Sequence, residues 1–292
     1  MLALRILSIV FPVFAIIGIG YLYGRIKRPD IGVTNQISMD VLVPALVFAA
    51  LASKSFDFAH YGQLALGGAL VILGSGLLAW PLARLLRVEA KTFVPPMMFN
   101  NSGNMGIPLI VLAFGDAALP AAIILFLVEM VLHFSMGPYM LAHRMNLLQL
   151  LKTPVMAATL LGVAVSLSGA VLPAALYTGI KMLGDASIPM LLFALGVRLN
   201  QVSFKDWHIG AWSGVVAPAT GVVMVLLVTP FLGLDPVQQS ILLVFGALPP
   251  AVLNYLMAEQ YRQEPEKVAS IVLLGNLAAL AVMPLVLAFA LS

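Results

Sequence analysis

The chain reads as an all-α polytopic membrane protein, with ten transmembrane helices in a 5+5 inverted repeat and with helices four and nine broken and crossing. Three observations support this. First, 62% of the 292 residues are hydrophobic, 9% are charged and the mean hydropathy is +1.06, whereas soluble chains carry roughly 25% charged residues. Second, apolar stretches of the ~20 residues needed to cross a bilayer recur at 3–23, 33–53, 62–83, 93–113, 118–140, 155–174, 178–198, 209–232, 240–260 and 268–290. Third, the basic residues between those stretches fall almost entirely on one side. A soluble enzyme, a nucleic-acid binder and a disordered scaffold are excluded by the composition. The absence of cysteine excludes disulfides, thiolate metal sites and cysteine nucleophiles.

Taken in order, the first stretch has Arg5 ahead of it but no convincing small-residue cleavage site near Gly18–Gly24. Arg25, Lys27 and Arg28 follow at once, so it reads as an uncleaved helix rather than a signal peptide. The second carries Asp40 four residues before Pro44, where helix capping or a polar link beside a kink is favoured over lining a substrate path. The third is rich in glycine (Gly62, Gly67, Gly68, Gly74), which suits close helix packing. The fourth is the least helix-like: Pro95-Pro96-Met97-Met98-Phe99-Asn100-Asn101-Ser102-Gly103-Asn104-Met105-Gly106-Ile107-Pro108. Proline removes a donor and clashes with the preceding turn, and unpaired backbone in lipid is costly unless it lines a cavity. Two half-helices with a break near 96–106 are expected.

The fifth stretch holds Glu129 with His133 one turn later on the same face. The seventh repeats the second: Asp185, Pro189, Leu191, Phe193 and Ala194 match Asp40, Pro44, Leu46, Phe48 and Ala49 at an offset of 145. In the ninth, Pro249-Pro250 with Asn254-Tyr255 matches Pro95-Pro96 with Asn100 at an offset of 154, and Pro138 and Pro284 agree at 146 in the fifth and tenth. Apolar matches are cheap in this composition, but paired Asp, Pro-Pro and Asn matches are not. The chain therefore divides into five-helix halves at 1–145 and 146–292, antiparallel because five is odd.

With ten spans, one side collects Arg25, Lys27, Arg28, Arg84, Arg87, Lys91, Arg144, Lys152, Arg198, Lys205, Arg262 and Lys267, and the other only Arg5, Lys54 and Lys181, a split of 12 to 3. The basic side is cytoplasmic by the positive-inside rule. A multi-pass protein of the cell inner membrane with both termini non-cytoplasmic is expected, with the lipid bilayer and no nucleic acid as partner.

Two broken helices meeting near the midplane make a transporter site, since half-helix N-termini present free N–H groups and a positive dipole end to a carboxylate. Asn100, Asn101, Asn104, Asn254 and Tyr255 are the candidate substrate contacts. One isolated Asn would more simply pair helices, but a cluster at paired breaks favours ligand contact. Acids within a span are costly and are functional suspects, so Glu129 with His133 is either a site for a coupling proton or sodium ion or a mutually satisfied buried pair. Two side chains on one helix are too few for a metal site, and no resident cofactor is expected.

The stretch Asn100–Leu109 resembles the fourth-helix motif of the auxin efflux carrier family, and Ala186–Gly196 (Ala-Ser-Ile-Pro-Met-Leu-Leu-Phe-Ala-Leu-Gly) resembles its seventh. The plant carriers have a long central cytoplasmic loop for which residues 141–154 leave no room, so the likeness is to bacterial members and covers essentially the whole chain. The resemblance implies secondary transport of small organic anions by an elevator-type alternating-access motion. It implies crossover prolines at Pro96 and Pro250, a scaffold of helices 1, 2, 6 and 7, a transport bundle of helices 3–5 and 8–10, and a homodimer. It also points to small carboxylates such as malate or malonate, with the coupling ion open. The rivals are a channel or a membrane receptor for small ligands, and an intramembrane hydrolase using Ser102 or Ser135 with His133. The last is disfavoured because Ser135 and His133 face apart and no G-x-S-x-G surrounds Ser102.

Overall fold

The structure, a computed structural model, describes residues 2–53, 58–143, 151–201 and 206–292. Lys54, Arg144 and Lys205, which enter the charge split, and the expected boundary at 145/146 lie outside the described residues. Within them the protein is all-helical. Seven helical stretches are long and apolar enough to cross a membrane: Leu2–Lys27, Ile31–Leu51, His60–Leu85, Asp116–Ala142, Ala174–Arg198, Trp207–Phe231 and Pro265–Ala290. Three shorter apolar helices, Ser102–Phe114, Pro154–Ser168 and Pro236–Gly246, occupy the fourth, sixth and ninth expected positions.

Helix α1 spans Leu2–Lys27. Asp30 accepts a bond from Gly32 N at 2.8 Å and opens α2, Ile31–Ile37. A π-type turn at Ser38–Leu42 then leads into α3, Val43–Leu51. Pro44 lies in the first turn of α3 and cannot donate to the ladder, so the turn ahead of it widens. Asp40 sits in this widened turn and is exposed. The corresponding stretch in the second half, α9 (Ala174–Arg198), runs unbroken through Pro189. There Asp185 makes an exposed i,i+4 pair with Lys181 at 2.7 Å instead of capping a helix.

The remaining elements are α4 (Phe58–Leu85), α5 (Ala90–Met98), α6 (Ile107–Phe114), α7 (Leu119–Ala142), α8 (Pro154–Ser168), α10 (Trp207–Val228), α11 (Pro236–Gly246), α12 (Leu253–Gln260) and α13 (Pro265–Ala290). Thr153 and Asp235 cap α8 and α11 by accepting from Met156 N and Gln238 N, as short polar side chains do at helix starts.

Two sets of contacts organise these helices. Helix α1 lies along α9, and α3 packs on α8 and α9. Separately, α10 lies along α13 and against α4, while α4 also packs on α5 and α7. Small residues allow the closest approaches. A Cβ on Gly20 would stand 2.2 Å from Phe193 O, and one on Gly196 2.0 Å from Ile17 O. These two glycines let the backbones of α1 and α9 touch. A large apolar core runs through both sets, from Ile9 to Leu287.

At the turn between α12 and α13, Arg262 and Glu264 have φ of 54° and 40°. Glu264 accepts from Thr92 Oγ1 at 2.6 Å and from Lys267, and Gln263 donates to Thr92 Oγ1 at 3.1 Å. This polar knot ties the turn to the start of α5. Burial pushes the Glu264 carboxyl up, but hydrogen bonds from Lys267 and Thr92 and the Lys267 charge outweigh it and hold the group below its ordinary value.

Candidate functional site: two chain breaks that cross

The breaks in the fourth and ninth spans meet. Helix α5 ends at Met98, and Phe99 turns extended (φ −94°, ψ 103°). Helix α11 ends at Gly246, and α12 starts at Leu253. Between these ends Asn100 and Pro250 form an antiparallel bridge. Asn101 N donates to Pro249 O at 2.7 Å and Ala251 N to Phe99 O at 3.0 Å. Backbone groups that a helix would have satisfied thus satisfy one another across the crossing, which non-helical chain at such depth requires.

Asparagine amides reinforce the crossing. Asn100 Nδ2 donates to Phe245 O at 2.8 Å, and Asn254 Nδ2 to Phe99 O at 2.9 Å and Ala251 O at 3.0 Å. Asn101 Nδ2 donates to Asn276 Oδ1 at 3.0 Å, while Asn276 Nδ2 reaches Pro250 O at 3.0 Å and Val272 O at 2.8 Å. Carbonyl acceptors on one side fix which way the Asn100 and Asn254 amides point. Among the described residues their Oδ1 atoms are left buried and without a partner, as is Nε2 of His133. Buried orphans of this kind are rare, and each calls for an explanation.

Beside the crossing, His133 Nδ1 lies 2.9 Å from Glu129 Oε1, and Ser102 Oγ donates to Glu129 Oε2 at 3.3 Å. The His133 ring stacks on Phe99 with centroids 4.1 Å apart and planes 7° from parallel. Glu129 and His133 are both buried. With Glu129 ionised, Nδ1–H of His133 donates to it, which leaves Nε2 as a bare acceptor. Ser135 bonds only its own helix, to Val131 O and Leu132 O. The two serines that a hydrolase would need are thus committed to Glu129 and to backbone.

A cavity of about 160 Å³ opens on this constellation and is bordered by Asn100, Asn101, Gly103, Asn104, Glu129 and His133. This is below the roughly 300–1,000 Å³ of drug-sized sites, so it suits a compact solute. The N–H groups of Ser102, Gly103 and Asn104, at the start of the half-helix Ser102–Phe114, form no backbone bond to any described residue. They are the free donors expected at a helix N-terminus. A neighbouring cavity of about 330 Å³ includes Tyr255, Val252, Leu256 and Asn35.

Of the residues singled out from sequence, Asn100, Asn101, Asn104, Glu129 and His133 gather at one cavity, with Asn254 behind it at the crossing. Pro250 is at the crossing, but Pro96 is not. It lies inside α5, and the strand-like partner of Pro250 is Asn100, one turn further on. The break is also shorter than the expected 96–106, since a helical turn resumes at Ser102. Tyr255 faces the neighbouring cavity and donates from its hydroxyl to Glu259 Oε1 at 3.4 Å, away from the crossing. Asn276 was missed. A buried Asn in an otherwise apolar tenth span was the available signal.

A family model described as "Membrane transport protein" matches residues 139–287. Over 304 aligned residues the chain is 27% identical to a Rhizobium meliloti (strain 1021) protein named "Putative malonate transporter", covering 95% of this chain and 93% of that one. It is 22% identical over 302 residues to an uncharacterized transporter of Methanocaldococcus jannaschii, covering 96% and 97%.

Proposed function

The chain belongs to the membrane transport protein family, the auxin efflux carriers whose motifs it resembles, and on that premise we propose that it is a secondary active transporter of small carboxylates. The supporting observation is the crossing of two broken spans, Asn100 against Pro250, with two buried polar atoms on the cavity wall, Asn100 Oδ1 and His133 Nε2, left without a partner among the described residues. The name of the Rhizobium relative makes malonate the first substrate to try.

The site has two chemical characters. On one side are donors, the free N–H groups of Ser102, Gly103 and Asn104 with the Asn104 amide, suited to a carboxylate. On the other are acceptors, Oδ1 of Asn100, the Glu129 carboxylate and, with Glu129 ionised, the bare Nε2 of His133, suited to a proton or a sodium ion. In this reading Glu129 and His133 take the coupling ion while the carboxylate sits at the half-helix start. The cation then neutralises the Glu129 charge before the site moves.

The wider reading has ten spans in two inverted halves at 1–145 and 146–292. Helices α1, α2–α3, α8 and α9 form a scaffold, and the remainder forms a bundle that carries the site across by alternating access. Packing that is denser within each of these two sets than between them supports that division. The protein sits in the cell inner membrane as a homodimer with both termini non-cytoplasmic.

The test is counterflow of labelled malonate in proteoliposomes. Wild type accumulates label against an unlabelled internal pool, which a channel or a receptor does not do. If purified, folded protein neither binds nor exchanges any small carboxylate at any pH or sodium concentration, the reading is wrong.

A further inference from the structure

Beside the paired crossing one half-buried arginine lacks a counter-charge among the described residues. Arg198, the last residue of α9, borders both the cavity at the crossing and the neighbouring cavity. The two share Asn35, Leu195, Arg198, Val252 and Leu256 along their common edge. Arg198 therefore stands between the larger, mostly apolar chamber and the smaller one that ends at Asn100, Gly103 and Asn104.

Its surroundings set it apart from the other described basic residues: Lys91, also half-buried, donates to Leu141 O at 3.3 Å. Lys181 pairs with Asp185, and Lys267 with Glu264. Arg25, Lys27 and Arg28 are exposed, where water or lipid headgroups suffice. Arg198 is half-buried and makes no ion pair with any described residue. Glu129, the acid bordering the same cavity, is engaged by His133 and Ser102. A half-buried guanidinium without a counter-charge is costly. The C-terminal end of α9 offsets only about half a charge.

We infer that Arg198 is the charge-selecting residue of the site: its guanidinium binds one carboxylate of a compact dicarboxylate whose other carboxylate sits on the N–H groups of Ser102–Asn104. This rests on the carboxylate-transport reading above and narrows it. The planar fork of arginine matches a carboxylate bidentately. Donors at both ends of one small cavity select for a solute with an anion at each end. The same position makes Arg198 the first strong donor an anion meets on passing from the larger chamber.

The experiment is ligand-induced thermal stabilisation of the purified full chain, with malonate, acetate and uncharged malonamide as probes, in wild type, Arg198→Gln and Arg198→Lys. Wild type prefers malonate to acetate and ignores malonamide. Arg198→Gln weakens malonate by about ten- to hundred-fold, the usual worth of one charge-assisted bidentate contact. It leaves acetate, which needs only the N–H end, nearly unchanged. Arg198→Lys keeps the charge, loses the fork and falls between. In counterflow the loss appears in KM for malonate more than in the maximal rate. If Arg198→Gln binds malonate as wild type does, or weakens malonate and acetate equally, Arg198 is structural and the inference falls while carboxylate transport stands. If wild type binds neither acid but another small carboxylate stabilises it, the inference falls alone, and if no small carboxylate does, both fall. If Arg198→Gln does not fold, the malonate-to-acetate ratio of Arg198→Lys decides, and an unchanged ratio overturns the inference.

Discussion

At the scale of single residues, the site depends on side chains that do two things at once. Asn254 donates to Phe99 O and Ala251 O and so holds the crossing, while its Oδ1 stays free. Asn254→Ala releases buried carbonyls, and the expected cost is about 1–3 kcal/mol of stability together with loss of malonate counterflow. A folded Asn254→Ala protein with normal exchange would remove the crossing from the mechanism. Glu129 separates the same two roles more cleanly. Glu129→Ala leaves His133 Nδ1 buried and unpaired, again at about 1–3 kcal/mol. Glu129→Gln keeps an acceptor in place and spares most of that stability, yet it cannot carry a proton or a charge. Its exchange of substrate should persist while any dependence of uptake on pH or sodium gradient disappears. Uptake by Glu129→Gln that still follows the gradient would move coupling elsewhere. Much of this was legible in the sequence, because Asn and Glu are conspicuous within hydrocarbon-length apolar runs. Asn276 was not singled out, since one Asn in a span reads as ordinary helix pairing until its partners Asn101 and Pro250 are seen. The place of Pro96 could not be read either. Whether a helix stops at a proline or a turn beyond it depends on what pairs with the freed backbone, and here that partner is more than a hundred residues away.

At the scale of elements, both breaks were readable from Pro, Gly and Asn density, but the π-type turn before Pro44 and its absence before Pro189 were not. The two stretches share Asp, Pro, Leu, Phe and Ala at matching positions, and only packing distinguishes their shapes. The α1–α9 seam was equally hidden, because glycines in an apolar helix do not say what they touch. Gly196→Ala places a Cβ 2.0 Å from Ile17 O, and backbone on both sides cannot yield as a flexible side chain would. It should lower the melting temperature markedly, by at least the ~1–3 kcal/mol typical of overpacking. Gly18→Ala, on the partner helix α1, meets nothing within 4 Å and should be neutral or stabilising by up to ~1 kcal/mol. Equal melting temperatures for the two variants would deny the seam. The Thr92–Glu264–Lys267 knot carries a pH signature. The Glu264 carboxyl is held below its ordinary 4.5, so its stabilisation is fully present above that value and is lost as pH falls through the folded-state value. The melting-temperature gap between wild type and Glu264→Gln should therefore be constant near neutrality and close below about pH 4.5. A gap that survives to pH 3 would mean the knot does not depend on that charge.

At the scale of the whole molecule, the charge asymmetry and the position of the cavities bear on the same question, namely which face the site addresses. Arg198 ends α9 on the side that also carries Arg25, Lys27 and Arg28 at the end of α1, and α1 lies along α9. If basic loops are cytoplasmic, the chamber bordered by Arg198 opens toward the cytoplasm, and this conformation is the inward-facing one. The absence of cysteine allows a direct check, because any introduced thiol is the only one present. Lys27→Cys and Ser292→Cys each replace a residue exposed in the structure. In intact cells a membrane-impermeant maleimide should label Ser292→Cys at once and Lys27→Cys only after permeabilisation. The reverse pattern would invert the topology and place the chamber outside. Equal labelling of both in intact cells would mean that an even number of spans lies between Lys27 and Ser292 in place of the expected nine, which would undo the ten-span count. A third thiol refines the result. Asn35→Cys, on the shared edge of the two cavities, should react from the Lys27 side and be protected by malonate, since a dicarboxylate held between Arg198 and the half-helix start covers that edge. Protection by malonate but not by malonamide would place an anion, rather than a neutral solute of the same shape, beside Arg198, the one arginine among the described residues that is half-buried and without an ion pair.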